Sequence, residues 1–560
     1  MSVSTPPSVS TPRTTWYGAT PAQQGIWILD RIERLRPTYL IPSVLEFTGP
    51  VDHQALAGAT RATLARYPAL RSRFRLDTRH RRVEYRTDGP PAEVGFIDAV
   101  AEEWTAQELA ALIEALCYTP FDLGTEAPAR AEIIRTGTET TLLVLTVHHI
   151  VFDATSRELV LDEITGRYRA AVLGTPFTPR RAVHPDEVRP AAPAADLAER
   201  VSEAAARLRG APTTVDLPYA RDPHGDLPML GGWQRTTLDA GTTERVTEAA
   251  AREGCTPFMT GVALLAGALA RRGEQRDFLF AVVWPGRDDP ASAEVVGMFM
   301  STLILRVGLT ATTTWRELLA TARTAGMETF IDCDVPLDAL AAELDADREV
   351  GRLPLSPVLV NMADSPGTIA LAPGVRGRYR PLEPQYSKWD LALFVHLDEE
   401  DGERPRLGFS LDHPAALFDD AAINDLLTAL RRGAADLAHD PEDLVLKPAA
   451  EDKVNDPAAR LEMVRAVWCE VLGTDHVTDD ISFFDAGGDS LRLVVLVERL
   501  REVSGRMVKT VDLFRAGTVR GQADLLATLG TTGDGNGGGG SARDRLLGAV
   551  RQQKAAGPQG

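Results

Sequence analysis

A Gly-Gly-Asp-Ser turn near the C-terminus most constrains the fold of this chain, because it sets the start of a helix. Gly487 and Gly488 allow a tight turn with a positive φ angle. After Ser490, apolar residues recur at helical spacing on one face: Leu493, Leu496, Val497 and Leu500. The pattern predicts an amphipathic helix that begins at Ser490 and ends near Gly505. A phosphodiester on Ser490 would meet unpaired backbone N–H groups and the positive end of the helix dipole.

The stretch around this turn resembles the attachment motif of peptidyl and acyl carrier domains. It reads Phe483-Phe484-Asp485-Ala486-Gly487-Gly488-Asp489-Ser490-Leu491. The resemblance implies that Ser490 bears a covalent 4′-phosphopantetheine arm, added by a phosphopantetheinyl transferase. The alternative is an ordinary serine at a helix N-cap after a glycine turn. The Phe-Phe-Asp lead-in and an amphipathic helix on each side favour the carrier interpretation.

A short apolar run far upstream, residues 141–147, ends in two histidines. Its leucine and β-branched residues predict a buried strand, with His148 and His149 at the end of that strand. Strand ends are a usual place for catalytic side chains. Two adjacent histidines alone are more often an accident of the surface or the core, so the hypothesis of an active site depends on further matches.

The run from His148 to Ala154 resembles the His-His-x-x-x-Asp-Gly motif of nonribosomal peptide synthetase condensation domains. That pattern is shared with acyltransferases of the chloramphenicol acetyltransferase-like superfamily. Further segments resemble the family in the same order: residues 20–27, 66–74, 120–123, 296–303, 388–391 and 417–419. The resemblance covers nearly all of residues 15–440.

The resemblance implies amide formation between an acyl thioester and an amine. It assigns proton acceptance to His149 and support of the strand end to His148. A neutral imidazole can accept a proton at cytoplasmic pH. General-base help contributes roughly 10²- to 10⁴-fold, whereas alignment of two reactants supplies effective molarities of about 10⁵ to 10⁸ M. Whether His149 acts as a base or orients the amine stays open at this point.

Asp153 also lies in the catalytic motif, and the resemblance implies a structural role for it. Its counterpart in the family pairs with the arginine that Arg71 matches here. A buried Asp153–Arg71 pair would fix the loop that carries His149, and loss of one partner from such a pair costs about 3 to 5 kcal/mol.

Two positions depart from the family pattern. Ala154 replaces the usual glycine, which adds a methyl group beside the histidine loop, and Ser301 replaces the usual asparagine before Thr302. Because both histidines and Asp153 remain, the departures suggest an unusual substrate and not the loss of catalysis.

Composition excludes several other classes of function. A net charge of −19 argues against nucleic acid as a partner, since phosphate binding needs a basic surface. No run of eighteen apolar residues predicts a membrane span, and the polar N-terminus is no signal peptide. The four cysteines form no Cys-x-x-Cys pair, so they indicate a reducing compartment and no thiol-ligated metal. We therefore expect a cytoplasmic enzyme without a metal or membrane partner.

We expect an α/β fold with two chloramphenicol acetyltransferase-like lobes in a V-shaped condensation domain, followed by a small all-α carrier domain of four helices. The predicted segments are a disordered N-terminus (1–14), the N-terminal lobe (15–180), the C-terminal lobe (181–440), a linker (441–456), the carrier domain (457–529) and a Gly-rich tail (530–560). In the tail, residues 543–553 form either a short docking helix or a functionless end.

The order of the domains predicts the partners. The linker is too short to hold an adenylating enzyme, so Ser490 would be loaded by a separate adenylation enzyme in trans or by transfer from another carrier. An upstream carrier protein would bring the donor. Two alternatives stay open. The chain could pass an acyl group from Ser490 to a small free amine or alcohol, or it could recruit tailoring enzymes without catalysis. The intact His148, His149 and Asp153 count against the second alternative.

Overall fold

A computed structural model describes most of the chain. The described residues are 15–188, 196–224, 230–346, 352–363, 369–380, 382, 385–398, 404–446, 457–474, 476–504, 506 and 508–529. The chain divides into two compact units, Met1–Leu446 and Lys447–Gly560. The predicted N-terminal segment 1–14, the Gly-rich tail 530–560 and most of the predicted linker lie outside the described residues.

The first lobe of the first unit is built around the strand that ends in the two histidines. Its elements are, in chain order, β1 (Tyr17–Gly18), α1 (Pro21–Leu29), β2 (Leu40–Thr48), α2 (His53–Arg66), β3 (Arg73–Asp77), β4 (Arg82–Arg86), β5 (Glu93–Asp98), α3 (Ala106–Tyr118), β6 (Ala129–Arg135), β7 (Thr140–His148) and α4 (Ala154–Leu173).

The elements of the second lobe follow in sequence, and β12 and β13 lie among them in chain order. Its elements are α5 (Leu197–Leu208), β8 (Gly231–Thr237), α6 (Ala240–Arg252), α7 (Pro257–Arg272), β9 (Asp277–Trp284), β10 (Ser301–Gly308), α8 (Trp315–Ile331), α9 (Leu337–Glu343), β11 (Val358–Met362), β12 (Ile369–Ala372), β13 (Val375–Tyr379), β14 (Leu391–Asp398), β15 (Arg406–Pro414) and α10 (Asp420–His439).

Two mixed six-stranded sheets organise this unit, which confirms the predicted α/β class. The first sheet has the order β12-β13-β2-β7-β6-β5, and the second has the order β10-β9-β11-β14-β15-β8. A three-stranded sheet, β1-β4-β3, flanks the first. The expected lobe boundary near residue 180 does not apply to β12 and β13, because β13 pairs antiparallel with β2 of the first lobe. Two strands from the second half of the sequence therefore complete the first sheet.

Helix α7 shows how the sequence sets these elements. Thr256 caps the helix by accepting a hydrogen bond from the backbone N–H of Met259, and Pro257 occupies the first turn, as predicted. The helix is buried nearly all round. An added Cβ at Gly267 of α7 or at Gly433 of α10 would lie 2.6 or 2.9 Å from the ring of Trp315. The glycines therefore let two helices approach the indole closely.

The second unit is a small helical domain, as predicted. Its four described helices are α11 (Pro457–Leu472), α12 (Ser490–Ser504), α13 (Thr510–Arg515) and α14 (Val519–Thr528). They enclose a separate apolar core that includes Trp468, Phe483 and Leu496. Among all the described residues, no single helix is long and apolar enough to cross a membrane, and the one helix pair that reaches this length and composition, α6 with α7, is bent by 102°.

Candidate functional site

The two histidines lie at the end of a fully buried strand, which confirms the prediction for residues 141–147. β7 pairs antiparallel with β2, and His148 lies opposite Leu40 in that register. The strand ends at His148, and a 3₁₀ turn then covers His149–Val151. This change of backbone direction turns consecutive side chains to different surroundings. His148 is fully buried, and His149 keeps part of its surface accessible.

His149 carries the features of a neutral imidazole that can accept a hydrogen bond from a substrate. Its Nδ1 donates to the carbonyl oxygen of Phe152 at 2.8 Å, which leaves the lone pair on Nε2. Desolvation, followed by the positive charge of Lys388, lowers the pKa of His149 to about 3. The side chain is thus strongly desolvated, although part of its surface is accessible. The imidazole of His149 is therefore neutral at any physiological pH, and its accessible surface can contact a ligand.

His148 supports the strand end through both of its ring nitrogens. Its Nδ1 accepts a hydrogen bond from the backbone N–H of Ile150 at 3.1 Å, so Nε2 carries the proton. That nitrogen lies 3.4 Å from the carboxylate of Asp30, which is itself 3% exposed and lies 3.7 Å from Nε of Arg36. The geometry supports the structural role expected for His148. Sequence reasoning missed Asp30, which is seven residues beyond Gln23 in a segment without a recognised polar motif.

The opening segment of the first lobe reaches the same turn from another direction. Gln23 is buried and donates from its side-chain amide to the carbonyl oxygen of Ile150 at 2.8 Å. Thr20 and Gln23 form a capping box at the start of α1, so the helix start also fixes the backbone of Gln23. The segment 20–27, matched from sequence only as a family signature, thus holds the histidine turn in place.

The structure corrects the partner predicted for Asp153. The carboxylate of Asp153 is bound by Arg287, whose NH2 group lies 2.8 and 2.9 Å from the two carboxylate oxygens. Arg71 instead donates to the carbonyl oxygen of Gly89 at 3.0 and 3.1 Å. Arg71 is the last residue of a short 3₁₀ turn before β3, and its own carbonyl oxygen accepts from the N–H of Gly89 at 2.9 Å. Because the chain is rich in arginine, the sequence could not identify which one reaches Asp153.

The pair joins the histidine loop to the second lobe. Asp153 also caps α4 by accepting from the N–H of Ser156, and it accepts from the N–H of Phe299 at 3.2 Å. Ser156 Oγ lies 2.8 Å from the carbonyl oxygen and 2.9 Å from the nitrogen of Gly297. Arg287 and Asp153 are each less than a tenth exposed. This buried network connects the turn of His149 to the segment between β9 and β10.

The two departures from the family pattern have clear positions. Ala154 is exposed and is the first residue of α4, where alanine is a good helix former. Ser301 is the first residue of β10 and lies opposite Trp284 of β9. Neither position interrupts the contacts that hold His148, His149 and Asp153.

The second unit presents Ser490 as the first residue of α12, as predicted. Gly487 has a φ of +95°, and an added Cβ at Gly488 would lie 2.4 Å from the ring of Phe483. The turn therefore requires both glycines. Asp489 caps the helix by accepting from the N–H of Arg492 at 2.9 Å. The predicted apolar face is confirmed by the burial of Leu493, Leu496, Val497 and Leu500.

This arrangement fits a phosphodiester on Ser490. The attachment residue opens a helix of 15 residues, where backbone N–H groups and the helix dipole favour an anion. The neighbouring Asp489 and Arg492 are exposed. A phosphopantetheine arm bound here would supply a terminal thiol for a thioester.

Comparison with known proteins gives a consistent result for both units. Residues 14–452 match the family model of the condensation domain, and residues 462–526 match that of the phosphopantetheine attachment site. Phosphinothricin tripeptide synthetase PhsC of Streptomyces viridochromogenes is 30% identical over 430 residues, which are 75% of this chain and 39% of that protein. The chain thus spans less than half the length of this relative.

Two solved structures share the fold of the first unit. The X-domain from teicoplanin biosynthesis has a TM-score of 0.66 at 24% identity and covers 78% of this chain and 98% of its own. The first condensation domain of the CDA synthetase has a TM-score of 0.63 at 24% identity and covers 77% and 98%. At this identity the two structures support the architecture alone.

Proposed function

This chain belongs to the condensation-domain family and continues into a phosphopantetheine attachment domain, and on that premise we propose that it forms amide bonds in a nonribosomal assembly line. The donor is an acyl or peptidyl thioester on an upstream carrier protein. The acceptor is an amine tethered to the arm on Ser490. The observation that carries the proposal is the neutral, partly accessible His149 at the end of β7, on the same chain as Ser490 at the start of α12.

Within this proposal His149 orients the amine and does not store its proton. An imidazole whose pKa is lowered to about 3 is too weak a base to hold a proton taken from an alkylammonium. Its Nε2 can still accept a hydrogen bond from the attacking nitrogen, because Nδ1 is committed to Phe152. The rate gain then comes mainly from alignment of the amine with the thioester carbonyl, which can be worth about 10⁵ to 10⁸ M in effective concentration.

The carrier domain supplies the acceptor by tethering. The attached group contributes the thiol that bears the acceptor, and the tether raises the local concentration of the amine to roughly the millimolar range. Ser490 requires a phosphopantetheinyl transferase, and the acceptor requires a loading enzyme. We infer that a separate adenylation enzyme loads Ser490 in trans, since residues 447–456 are too few to hold one.

The first test is the intact mass of the wild type and of Ser490→Ala after incubation with coenzyme A and a phosphopantetheinyl transferase. We expect only the wild type to gain one phosphopantetheine. A gain of mass by Ser490→Ala, or no gain by either protein, would contradict the assignment of the carrier.

The second test measures amide formation on the loaded chain. Aminoacyl-pantetheine is installed on Ser490 from aminoacyl-coenzyme A, and a panel of acyl thioesters of N-acetylcysteamine serves as donors. We expect an acyl mass gain on the wild-type carrier and its loss in His149→Ala. If the acyl group on Ser490 is transferred to a free amine and the tethered amine is not acylated, the alternative of transfer to a small molecule is favoured. Tethered product that is the same in His149→Ala would exclude the site proposed here.

A further inference from the structure

One lysine stands out in the first unit because arginine supplies nearly every other cation. The chain has 60 lysine and arginine residues, and Lys388 is the single lysine among residues 1–446. The two side chains differ chemically. Arginine stays charged in almost any environment and spreads its charge over a planar group, whereas lysine presents a compact ammonium whose pKa shifts when it is buried. Position 388 therefore combines a rare residue with a property that arginine lacks.

The fold places Lys388 near one end of the first sheet, and His149 lies at that same end. The Nζ of Lys388 lies 5.5 Å from the centroid of the Tyr39 ring. Tyr39 is buried and directly precedes β2, whose first residue, Leu40, pairs with His148. Tyr39 thus lies beside the turn of His149. Lys388 contacts this tyrosine although it lies some 240 residues after His149 in the sequence, just before β14. Besides this ring, the ammonium has no hydrogen-bond or ion-pair partner within the described part of the chain.

Electrostatics agree with this placement. The charge of Lys388 is the largest contribution after desolvation to the lowered pKa of His149. Desolvation also lowers the pKa of Lys388 to about 8, so the ammonium form still predominates at neutral pH. Like His149, the side chain keeps part of its surface accessible. Lys388 is therefore close enough to His149 to act on its charge, and both side chains are partly accessible beside Tyr39 at the end of the first sheet.

We propose that Lys388 is a further functional residue of the reaction centre, where its ammonium stabilises negative charge on the oxygen of the thioester carbonyl. The inference rests on the proposed function. When the amine attacks, the new C–N bond forms and the carbonyl electron pair moves to the oxygen. When the pair returns, the C–S bond breaks, and the thiolate receives the proton that the amine gives up. Lys388 stabilises the intermediate between these two steps, in which the oxygen carries the negative charge.

A pair of pantetheine analogues separates this role from general packing. In one, a phosphinate group replaces the thioester and carries one negative charge. In the other, a neutral ketone replaces it, and both bear the same short aliphatic chain. Their dissociation constants are measured by calorimetry on the full chain. We expect Lys388→Met to weaken the phosphinate roughly tenfold or more, since a fixed charge acts strongly in a desolvated site. The ketone should change by less than about threefold, because it carries no charge.

Two variants control the comparison. Lys388→Arg keeps the positive charge and should keep the preference for the phosphinate. Lys509→Met removes an exposed lysine from the second unit and should change neither constant. If Lys388→Met does not fold, Lys388→Gln and Lys388→Arg give the same comparison. A phosphinate-to-ketone ratio that is the same in all variants would overturn the role of Lys388 and leave the proposed function intact. Failure of the wild type to bind either analogue would overturn the proposed function, and this inference with it.

Discussion

Asp153 and Arg287 form a pair in which each side chain is less than a tenth exposed. Loss of one partner from such a pair leaves an uncompensated buried charge, which costs about 3 to 5 kcal/mol. We therefore expect Asp153→Ala and Arg287→Ala to lower both the stability and the activity of the first unit. His149→Ala should lower activity alone, because the partly accessible ring makes a single side-chain hydrogen bond among the described residues.

Arg71 is the matched control for this residue-scale prediction. It contacts a carbonyl oxygen and no carboxylate in the described chain, so Arg71→Ala should destabilise the unit less than Arg287→Ala does. Urea unfolding of the variants and of the Asp153→Ala/Arg287→Ala double variant measures the coupling. Additive losses for Asp153 and Arg287 would contradict the pair that the structure places at the loop.

Asp412 on β15 carries a different residue-scale prediction. Its Oδ1 is buried without a hydrogen-bond partner among the described residues, and desolvation raises the pKa of Asp412 from 3.8 to about 7. The folded state holds a proton that the unfolded state has lost between these values, so stability falls as the pH rises from about 4 to about 7. Asp412→Asn, which is neutral, should therefore melt at a higher temperature than the wild type at pH 8 and show a smaller difference at pH 5.

The control for this pH dependence is Asp425→Asn, since Asp425 is exposed on α10. Melting curves of the three proteins from pH 5 to pH 8.5 should separate Asp412→Asn from the wild type progressively. A difference between Asp412→Asn and the wild type that stays constant with pH would show that Asp412 is ionised in the folded protein throughout this range.

At the scale of elements, the sequence predicted those helices and strands whose formation depends on residues close together in the chain. The strand before His148 and the helix after Thr256 are apolar runs, and the helix after Ser490 has apolar residues at helical spacing. The two helices also have capping or glycine signals at their starts. The structure confirms all three. The network around the histidine turn has no such signal, because Gln23 and Asp30 belong to α1 and its C-cap, whereas Arg287 follows β9 far along the chain. Their convergence depends on tertiary packing, so the sequence named the wrong arginine and omitted Asp30.

The same limit applies to sheet topology. Strands β12 and β13 lie in the second half of the sequence but extend the first sheet through pairing of β13 with β2. Short strands separated from their partner by more than 300 residues carry no periodicity that identifies the partner. The resemblance to a known family predicted the two-lobed architecture, but the pairing of β13 with the first lobe could not be predicted from the sequence.

At the scale of the whole molecule, each unit has its own apolar core, so we expect two melting transitions. The core of the second unit is formed by residues of α11 to α14 and the loop before α12, and the first unit contains separate clusters around its two sheets. With about 0.7 kcal/mol of unfolding enthalpy per residue, the first unit should give a calorimetric transition several times larger than the second. The prediction is tested by one buried leucine from each core. Leu496→Ala should lower the temperature of the small transition and Leu265→Ala that of the large one, since each removes a fully buried side chain worth about 2 to 5 kcal/mol. If either variant shifted both transitions equally, the two cores would unfold as one cooperative body.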